Sequence, residues 1–347
     1  MNNPIQFPNA HLPESMTEIS ITHPGKPEVL VPHQTAIPVP AADELLIQVF
    51  AAGVNRPDVM QRQGIYPMPA GVNPVPGLEI SGLVVAKGAN VSGFSLGDRV
   101  CGLTNGGGYA EYCVLPASQA LPIPKGVTFI QAAAIPETFF TVWANLFQIG
   151  KAKAGDRVLI HGGSSGIGTT ALMLCKELGI ESFATVGSAE KCHSIAHLTQ
   201  PINYREQDFA TVVLQQTQQQ GVDVILDIVG GSYFAQNLHA LARDGRLVII
   251  GFMGGVTAKD VNLQELVLKR AIVTGSTMRA RTRAEKAEIT QALLEHVWPL
   301  LAAGKFLPMI HAAFSLCEVV KAHEMMEAGD HVGKIILTVP HKDVPNP

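Results

Sequence analysis

Between Val158 and Leu174 a short apolar run, Val158-Leu159-Ile160-His161, enters the turn Gly162-Gly163-Ser164-Ser165-Gly166-Ile167-Gly168. The turn opens directly onto Thr169-Thr170-Ala171-Leu172-Met173-Leu174, whose apolar residues have helical spacing. Strand, tight turn and helix in that order leave the first free N–H groups of the helix aimed at the turn, where they and the helix dipole attract an anion. Gly163 suits a turn where a Cβ would clash, and Gly168 suits close packing of helix on strand. Gly163, Ser165, Gly166, Ile167 and Gly168 therefore form a candidate cradle for a pyrophosphate.

The same residues admit other chemistry. Ser165 stands where the middle glycine of G-x-G-x-x-G belongs, so the dinucleotide fingerprint is incomplete. Gly162-Gly163-Ser164-Ser165-Gly166 also fits G-x-S-x-G, the nucleophile elbow of a serine hydrolase, with Ser164 as nucleophile and Asp227 and His311 as later partners. That elbow normally follows several parallel strands, whereas the text before it is β with Gly and Pro breaks. The turn also resembles that of short-chain dehydrogenases, which need Tyr-x-x-x-Lys. None of Tyr66, Tyr109, Tyr112, Tyr204 or Tyr233 has a lysine four residues on. A glycine turn that holds no ligand is the plainest alternative.

The elements around the turn bound its context. The chain has 347 residues, 47% of them hydrophobic and 16% charged, which suits two globular domains with sizeable cores. A net charge of -4 gives no footprint for nucleic acid or an anionic membrane. No apolar run approaches the roughly 20 residues of a membrane span, and the basic-then-apolar pattern of a secretory signal is missing, so a soluble, cytoplasmic protein is expected. The five cysteines are scattered without C-x-x-C, so neither a disulfide framework nor a zinc knuckle is indicated.

Residues 1–15 lack periodicity and read as a tail. From Met16 to about Leu121 short strands alternate with Gly and Pro breaks: Leu45 to Phe50, Ile80 to Ala86, Arg99 to Leu103 and Tyr109 to Leu115. Pro136 to Phe147 has apolar residues at helical spacing and predicts a helix that joins two halves. After the glycine turn strand and helix alternate, with strands at Val158 to His161, Ser182 to Val186, Pro201 to Asn203, Val222 to Asp227, Gly245 to Gly251 and Ala271 to Gly275. That pattern predicts a doubly wound, parallel, six-stranded Rossmann sheet. A helix is expected from Glu285 to Leu301, another near Val319 to Ala328, and a strand from Gly333 to Val339.

The loop Gly53-Val54-Asn55-Arg56-Pro57-Asp58, the run Pro76-Gly77-Leu78-Glu79-Ile80-Ser81-Gly82 and Gly97-Asp98-Arg99-Val100, taken with the glycine turn, carry a family resemblance. Over Met16 to Val339 the chain resembles the medium-chain dehydrogenase/reductase superfamily, in its zinc-free quinone oxidoreductase (zeta-crystallin-like) branch. The resemblance implies an α/β protein in which a GroES-like, mostly β catalytic domain, 16–137 and 283–347, is interrupted by a Rossmann domain, 138–282. Zinc-dependent members have a ligand cysteine where this chain has Asn55 and a ligand histidine where it has Leu78. Neither residue type serves zinc, and the four-cysteine lobe is absent, so no metal is expected.

The cofactor can be read further. NAD sites place an acid about 20 residues after the turn, at the end of the second strand. Here stand Val186-Gly187-Ser188-Ala189-Glu190-Lys191, in which Gly187 allows close approach, Ser188 can cap a helix and donate its hydroxyl, and Lys191 supplies a positive charge. Glu190 is unfavourable unless it points away. NADPH is thus expected over NADH, and the resemblance implies Tyr204 and Arg205 as further contacts to its adenosine phosphate end. The resemblance implies that Thr138 and Thr141 face the nicotinamide, with Val229, Gly230, Phe252 and Met253 at its edge. Thr277 and Arg279 are weaker candidates, and Arg279 can equally belong to a solvated basic edge.

Asn55 is expected to bond the cofactor ribose or a substrate carbonyl, and Tyr66 to be the polar handle for the acceptor. The expected reaction is metal-free reduction of a quinone, with a conjugated enone or alkenal as the alternative small-molecule substrate. A binding protein that keeps the cofactor fold without turnover is the third reading. The resemblance implies a homodimer paired through edge strands of the cofactor sheet, and Ala271 to Gly275 is apolar enough for such an edge.

Overall fold

The computed structural model describes residues 12–66, 68 and 71–341. The chain divides into two compact units, one that runs up to Phe140 and resumes at Arg279, and one that is Thr141–Met278. The divisions lie a few residues inside those expected, which moves Thr138 and Arg279 into the first unit. Of the expected tail, residues 1–11 lie outside the described residues, and Leu12 packs beside buried Met16.

The first unit is built on a seven-stranded sheet centred on Glu44–Val54. That strand pairs antiparallel with Glu79–Lys87, with Tyr112–Pro116 and, from the far end of the chain, with Lys334–Thr338. Because both of its faces are covered, with Ile47, Val49 and Val54 in one core and Leu46 and Ala51 in others, it is buried almost continuously instead of alternating. Ile310–Ser315 adds parallel to Lys334–Thr338. Ile47, Val49, Ile80, Val100, Tyr109, Leu115, Ile335 and Leu337 share one core, so the C-terminal return is integral to this unit.

In the second unit six parallel strands lie in the order Gln200–Asn203, Glu181–Val186, Arg157–His161, Val222–Asp227, Leu241–Ile249, Ile272–Gly275. Chain order reverses between Arg157–His161 and Val222–Asp227, and ligands of such sheets bind at the carboxyl ends of the strands beside that reversal. Leu159, Phe183, Ile202, Phe209, Val213, Ile225 and Leu247 fill the core. This is the six-stranded Rossmann-type sheet that the alternating text implied.

Several elements differ from their expected form. The joining helix is α-helical over Pro136–Val142 and then widens into a π-helix over Trp143–Ile149. Asn145 supplies a cause: its side-chain amide donates to the Thr141 carbonyl at 2.8 Å and competes with the helix's own ladder. The expected helix 285–301 is two helices, Arg283–His296 and Trp298–Ala302, because Pro299 has no N–H to continue the first. The fifth parallel strand starts earlier than expected, at Leu241, where it pairs with Val222.

The glycine turn is held by close backbone approach. Gly162 has φ +71°, and a Cβ on Gly168 would lie 2.3 Å from the Gly162 carbonyl oxygen. Gly168→Ala is therefore expected to destabilise the protein by about 1–3 kcal/mol, read as a lower Tm in thermal denaturation, because backbone must shift to admit the methyl.

Candidate active site

In the first unit the strand Glu44–Val54 ends at Asn55, the N-cap of the helix Arg56–Arg62. The Asp58 carboxylate accepts the Asn55 backbone N–H at 2.8 Å, which is one half of a capping box. The Asn55 side chain is committed elsewhere. Its Oδ1 accepts from Lys334 Nζ at 2.6 Å, and its Nδ2 donates to Glu79 Oε1 at 2.9 Å.

Lys334 also pairs with Glu79 Oε1 at 2.6 Å and reaches the Val54 carbonyl at 3.3 Å, so its three protons have three acceptors. The second Glu79 oxygen accepts the Glu137 N–H at 2.8 Å. Both members of the Lys334–Glu79 pair are buried, and Gly53 is required beside them, since a Cβ there would lie 2.0 Å from Glu79 Oε1. Asp58, fully buried, accepts in addition from Gly77 N–H at 3.0 Å and from the Tyr109 hydroxyl at 3.2 Å; burial pushes its carboxyl up to about 6.

Tyr66 and Arg279 form a second group in this unit. The Arg279 guanidinium lies 5.4 Å from the centre of the Tyr66 ring and is fixed by the Asn105 carbonyl at 2.6 Å and Gln61 Oε1 at 3.0 Å. Lys286 donates to Asn105 Oδ1 at 2.5 Å, and burial lowers its ammonium to about 8. Burial raises the Tyr66 phenol, so it stays protonated at neutral pH, and burial with the nearby Glu79 charge pushes the Glu137 carboxyl up to about 7. Arg279 is thus a buried member of this group and not a solvated edge. Thr138 is buried, with its hydroxyl on the Ala134 and Ile135 carbonyls at 3.2 and 3.4 Å.

In the second unit the strand Arg157–His161 delivers the turn, and Gly166–Glu177 is the helix that follows. Ser165 is its N-cap, with Oγ accepting Gly168 N–H at 3.0 Å. That cap leaves the Gly166 and Ile167 N–H groups without intrahelical partners, as the first turn of a helix requires. A Cβ on Gly163 would meet Ala184 Cβ at 2.7 Å, so the turn presses against the neighbouring strand.

At the end of Glu181–Val186, Ser188 caps the helix Ala189–Ile195 by accepting Lys191 N–H at 3.3 Å. Tyr204 lies over Gly187, where a Cβ would be 2.8 Å from the Tyr204 hydroxyl. Glu190 is fully exposed, yet a hydrogen bond with its own backbone and then one with Ser188 lower its carboxyl. It does not point away from Ser188, so a negative charge remains beside the proposed phosphate contact.

The Val229-Gly230 turn and the loop after Leu241–Ile249 are laced together. Met253 N–H bonds the Ile228 carbonyl at 3.1 Å, Gly254 N–H bonds Val229 O at 2.7 Å, and Gly231 N–H bonds Gly255 O at 2.7 Å. Phe252, Met253 and Thr277 are exposed. Thr141 is buried, and its hydroxyl has no hydrogen-bond partner.

These residues fit a nicotinamide dinucleotide: a cradle of glycines whose Cβ positions are filled by neighbouring atoms, two free helix-start amides and one orphaned buried hydroxyl. They do not fit the hydrolase. Asp227 is spent on the Val229 and Gly230 N–H groups, and His161, the buried histidine of this unit, has both ring nitrogens engaged by Thr185 and Asn237. His311 belongs to the other unit. Among the described residues no group of three or more His, Cys, Asp or Glu could hold a metal ion, and Leu78 is a core residue.

Sequence reasoning missed Glu79, Lys334, Asp58, Glu137 and Lys286. Asp58 carried a signal, since an acid three residues after Asn55 marks a helix start. Lys334, 279 residues from Asn55, carried none.

Comparison with known proteins agrees with both units. The alcohol dehydrogenase GroES-like domain family matches residues 41–125, and the zinc-binding dehydrogenase family matches residues 197–337. A quinone oxidoreductase of Sus scrofa is 31% identical over 329 residues, covering 93% of this chain and 97% of the relative. A mycobacterial protein solved in complex with NADPH superposes with a TM-score of 0.81 at 30% identity, over 93% of this chain and 99% of that one. The CurK enoyl reductase has a TM-score of 0.81 at 27% identity, over 94% of this chain and 100% of that one. With glycine turn, parallel sheet and C-terminal return all in place, the chain belongs to the medium-chain dehydrogenase/reductase superfamily, among the quinone oxidoreductases.

Proposed function

We propose that this oxidoreductase reduces quinones with NADPH and without a metal. The observation that supports it most is the end of the strand Glu181–Val186, where Gly187, Ser188 and Lys191 replace the acid that grips ribose hydroxyls in NAD sites. The solved relative with NADPH bound points the same way. A metal-free site follows from the donor set: Asn55 is a poor zinc ligand, and its oxygen already serves the Lys334 ammonium.

When bound, the reduced nicotinamide supplies the hydride or electrons. The chain supplies binding and orientation, which carry much of such a reaction. Gly166 and Ile167 N–H groups hold phosphate, Lys191 answers the 2′-phosphate, and the Thr141 hydroxyl gains the partner it lacks. Asn55, whose two amide protons go to Glu79 Oε1 and the Gly53 carbonyl and whose oxygen already accepts from Lys334, retains only acceptor capacity, so it can bond a ribose hydroxyl but not a substrate carbonyl. Tyr66 keeps its proton and can donate to the acceptor's carbonyl. A quinone spreads charge by conjugation and takes its protons from water. Reduction of a conjugated enone is the second reading, favoured by the likeness to an enoyl reductase.

The edge strand Ile272–Gly275 supports a homodimer. Ile272 is 55% exposed, and Leu263, Val267 and Leu268 on the preceding helix are more open still. Edge pairing between copies would extend the sheet and cover them.

Steady-state assays of NADPH and NADH against ortho-quinones, para-quinones and enones, with and without chelator, test the reading. Chelator-insensitive turnover of quinones with NADPH is expected; turnover of enones alone would transfer the assignment to the second reading. Lys191→Ala should raise the NADPH KM about tenfold and leave that of NADH unchanged, while Glu190→Gln should lower it.

Because Glu137's folded pKa of about 7 exceeds its ordinary 4.5, the stability it contributes is full at acid pH and is lost as pH rises through about 7. Glu137→Gln should therefore match the parent's Tm at pH 4.5 and exceed it at pH 8. Ile272→Lys should shift sedimentation from dimer to monomer.

A further inference from the structure

Inside Thr141–Met278 four buried polar side chains form an unbroken line. The Thr185 hydroxyl meets His161 Nδ1 at 2.9 Å, His161 Nε2 meets Asn237 Oδ1 at 2.7 Å, and Asn237 Nδ2 donates to Asp227 Oδ2 at 3.0 Å. Asp227 Oδ1 then accepts Val229 N–H at 2.6 Å and Gly230 N–H at 3.1 Å. Each of the four residues is 0–1% exposed.

The line has one polarity. Ionised Asp227 can only accept, so the Asn237 amide turns its nitrogen toward it and its oxygen toward His161. His161 must donate from Nε2 and accept at Nδ1, which leaves the Thr185 hydroxyl as donor. Phe209 and Tyr233 enclose the imidazole at 4.8 and 4.9 Å, and burial lowers its pKa to about 4, so it stays neutral.

The two ends of the line are turns. At one, the Thr185 carbonyl accepts the N–H of Gly163 at 2.9 Å. At the other, Gly230 is held at φ +79°, a conformation that side-chain-bearing residues avoid. A buried carboxylate is costly, and a sheet of this kind closes without one. Its bonds here are spent on turn amides and on the amide that orients it, not on joining strands.

We propose that Asp227, oriented through Asn237 and His161, is a positioning residue that fixes the Val229-Gly230 turn for the nicotinamide end of a bound dinucleotide, in register with the Gly163 turn. This deepens the reading that the second unit binds such a dinucleotide and rests on it. Thr185, His161 and Asn237 act only through Asp227. The adenosine end, held by Gly187, Ser188 and Lys191, does not depend on the line.

The test is calorimetric titration of the full-length protein with NADPH and, separately, with 2′,5′-ADP, which lacks the nicotinamide, alongside thermal melts. Asp227→Asn sets an NH2 against that of Asn237, so NADPH should bind about tenfold more weakly or worse, with 2′,5′-ADP unchanged. Adding Asn237→Asp restores the bond between the two side chains with donor and acceptor exchanged and keeps an acceptor for His161, and NADPH affinity should return to within about threefold of the parent. Thr185→Val removes only the outermost hydroxyl; it serves if Asp227→Asn does not fold, and should weaken NADPH about threefold with 2′,5′-ADP unchanged. Unchanged NADPH affinity in a folded variant with a lowered Tm, or a parallel loss for 2′,5′-ADP, would overturn the proposal. A parent protein that binds neither ligand would instead remove the dinucleotide reading, and the proposal with it.

Discussion

The pair Lys334–Glu79 is the contact on which the first unit depends. A buried ammonium and a buried carboxylate each carry a desolvation cost of several kcal/mol, which only a complete set of partners offsets. Here the set is complete: Asn55 and Val54 take the remaining lysine protons, and the Glu137 N–H and the Asn55 amide take the glutamate's lone pairs. The partners come from the end of one strand, the start of another, the beginning of a helix and the C-terminal return. Misplacing any of them strands a charge, so the pair selects one arrangement of the unit more than it adds net stability.

The second unit follows a different constraint, the close approach of backbone to backbone at the glycine turn. Gly163 presses on Ala184, Gly168 presses on Gly162, and the Ser165 hydroxyl closes the first turn of the helix. Nothing there is charged, which is what an anion site made of amides requires. The buried carboxylate at that end of the sheet, Asp227, is turned inward onto the Val229 and Gly230 amides. The first unit thus isolates charge in a buried network, whereas the glycine turn of the second presents uncharged donors.

What could be read from the chain alone was what is local. Strand, turn and helix at Val158 to Leu174 lie within one stretch, and the turn's glycines announce their own geometry. The alternation that follows fixes a parallel sheet because each helix is spelled out beside its strand. Asn55 was singled out as a contact for ribose or substrate, yet its engagement by Lys334 belongs to a contact across most of the chain. Arg279 was placed by its nearness to the sixth strand, whereas its side chain turns to Asn105 and Gln61 in the first unit. The expected helix ran through Pro299 although that proline marks the break, while the π-helix at Trp143–Ile149 has no such local mark, since it needs the Asn145 amide to take up the Thr141 carbonyl.

The discontinuity of the first unit has a consequence for synthesis. Thr141–Met278 is one contiguous block and holds all six strands of its own sheet, so it can complete itself while the chain is still emerging from the ribosome. The strand Glu44–Val54 cannot. Its partner Lys334–Thr338 arrives 279 or so residues later, a wait of roughly 15 to 60 s at ordinary elongation rates. During that interval an apolar edge and the carboxylate of Glu79 stand without their ammonium, and the nascent protein is at its most dependent on chaperones.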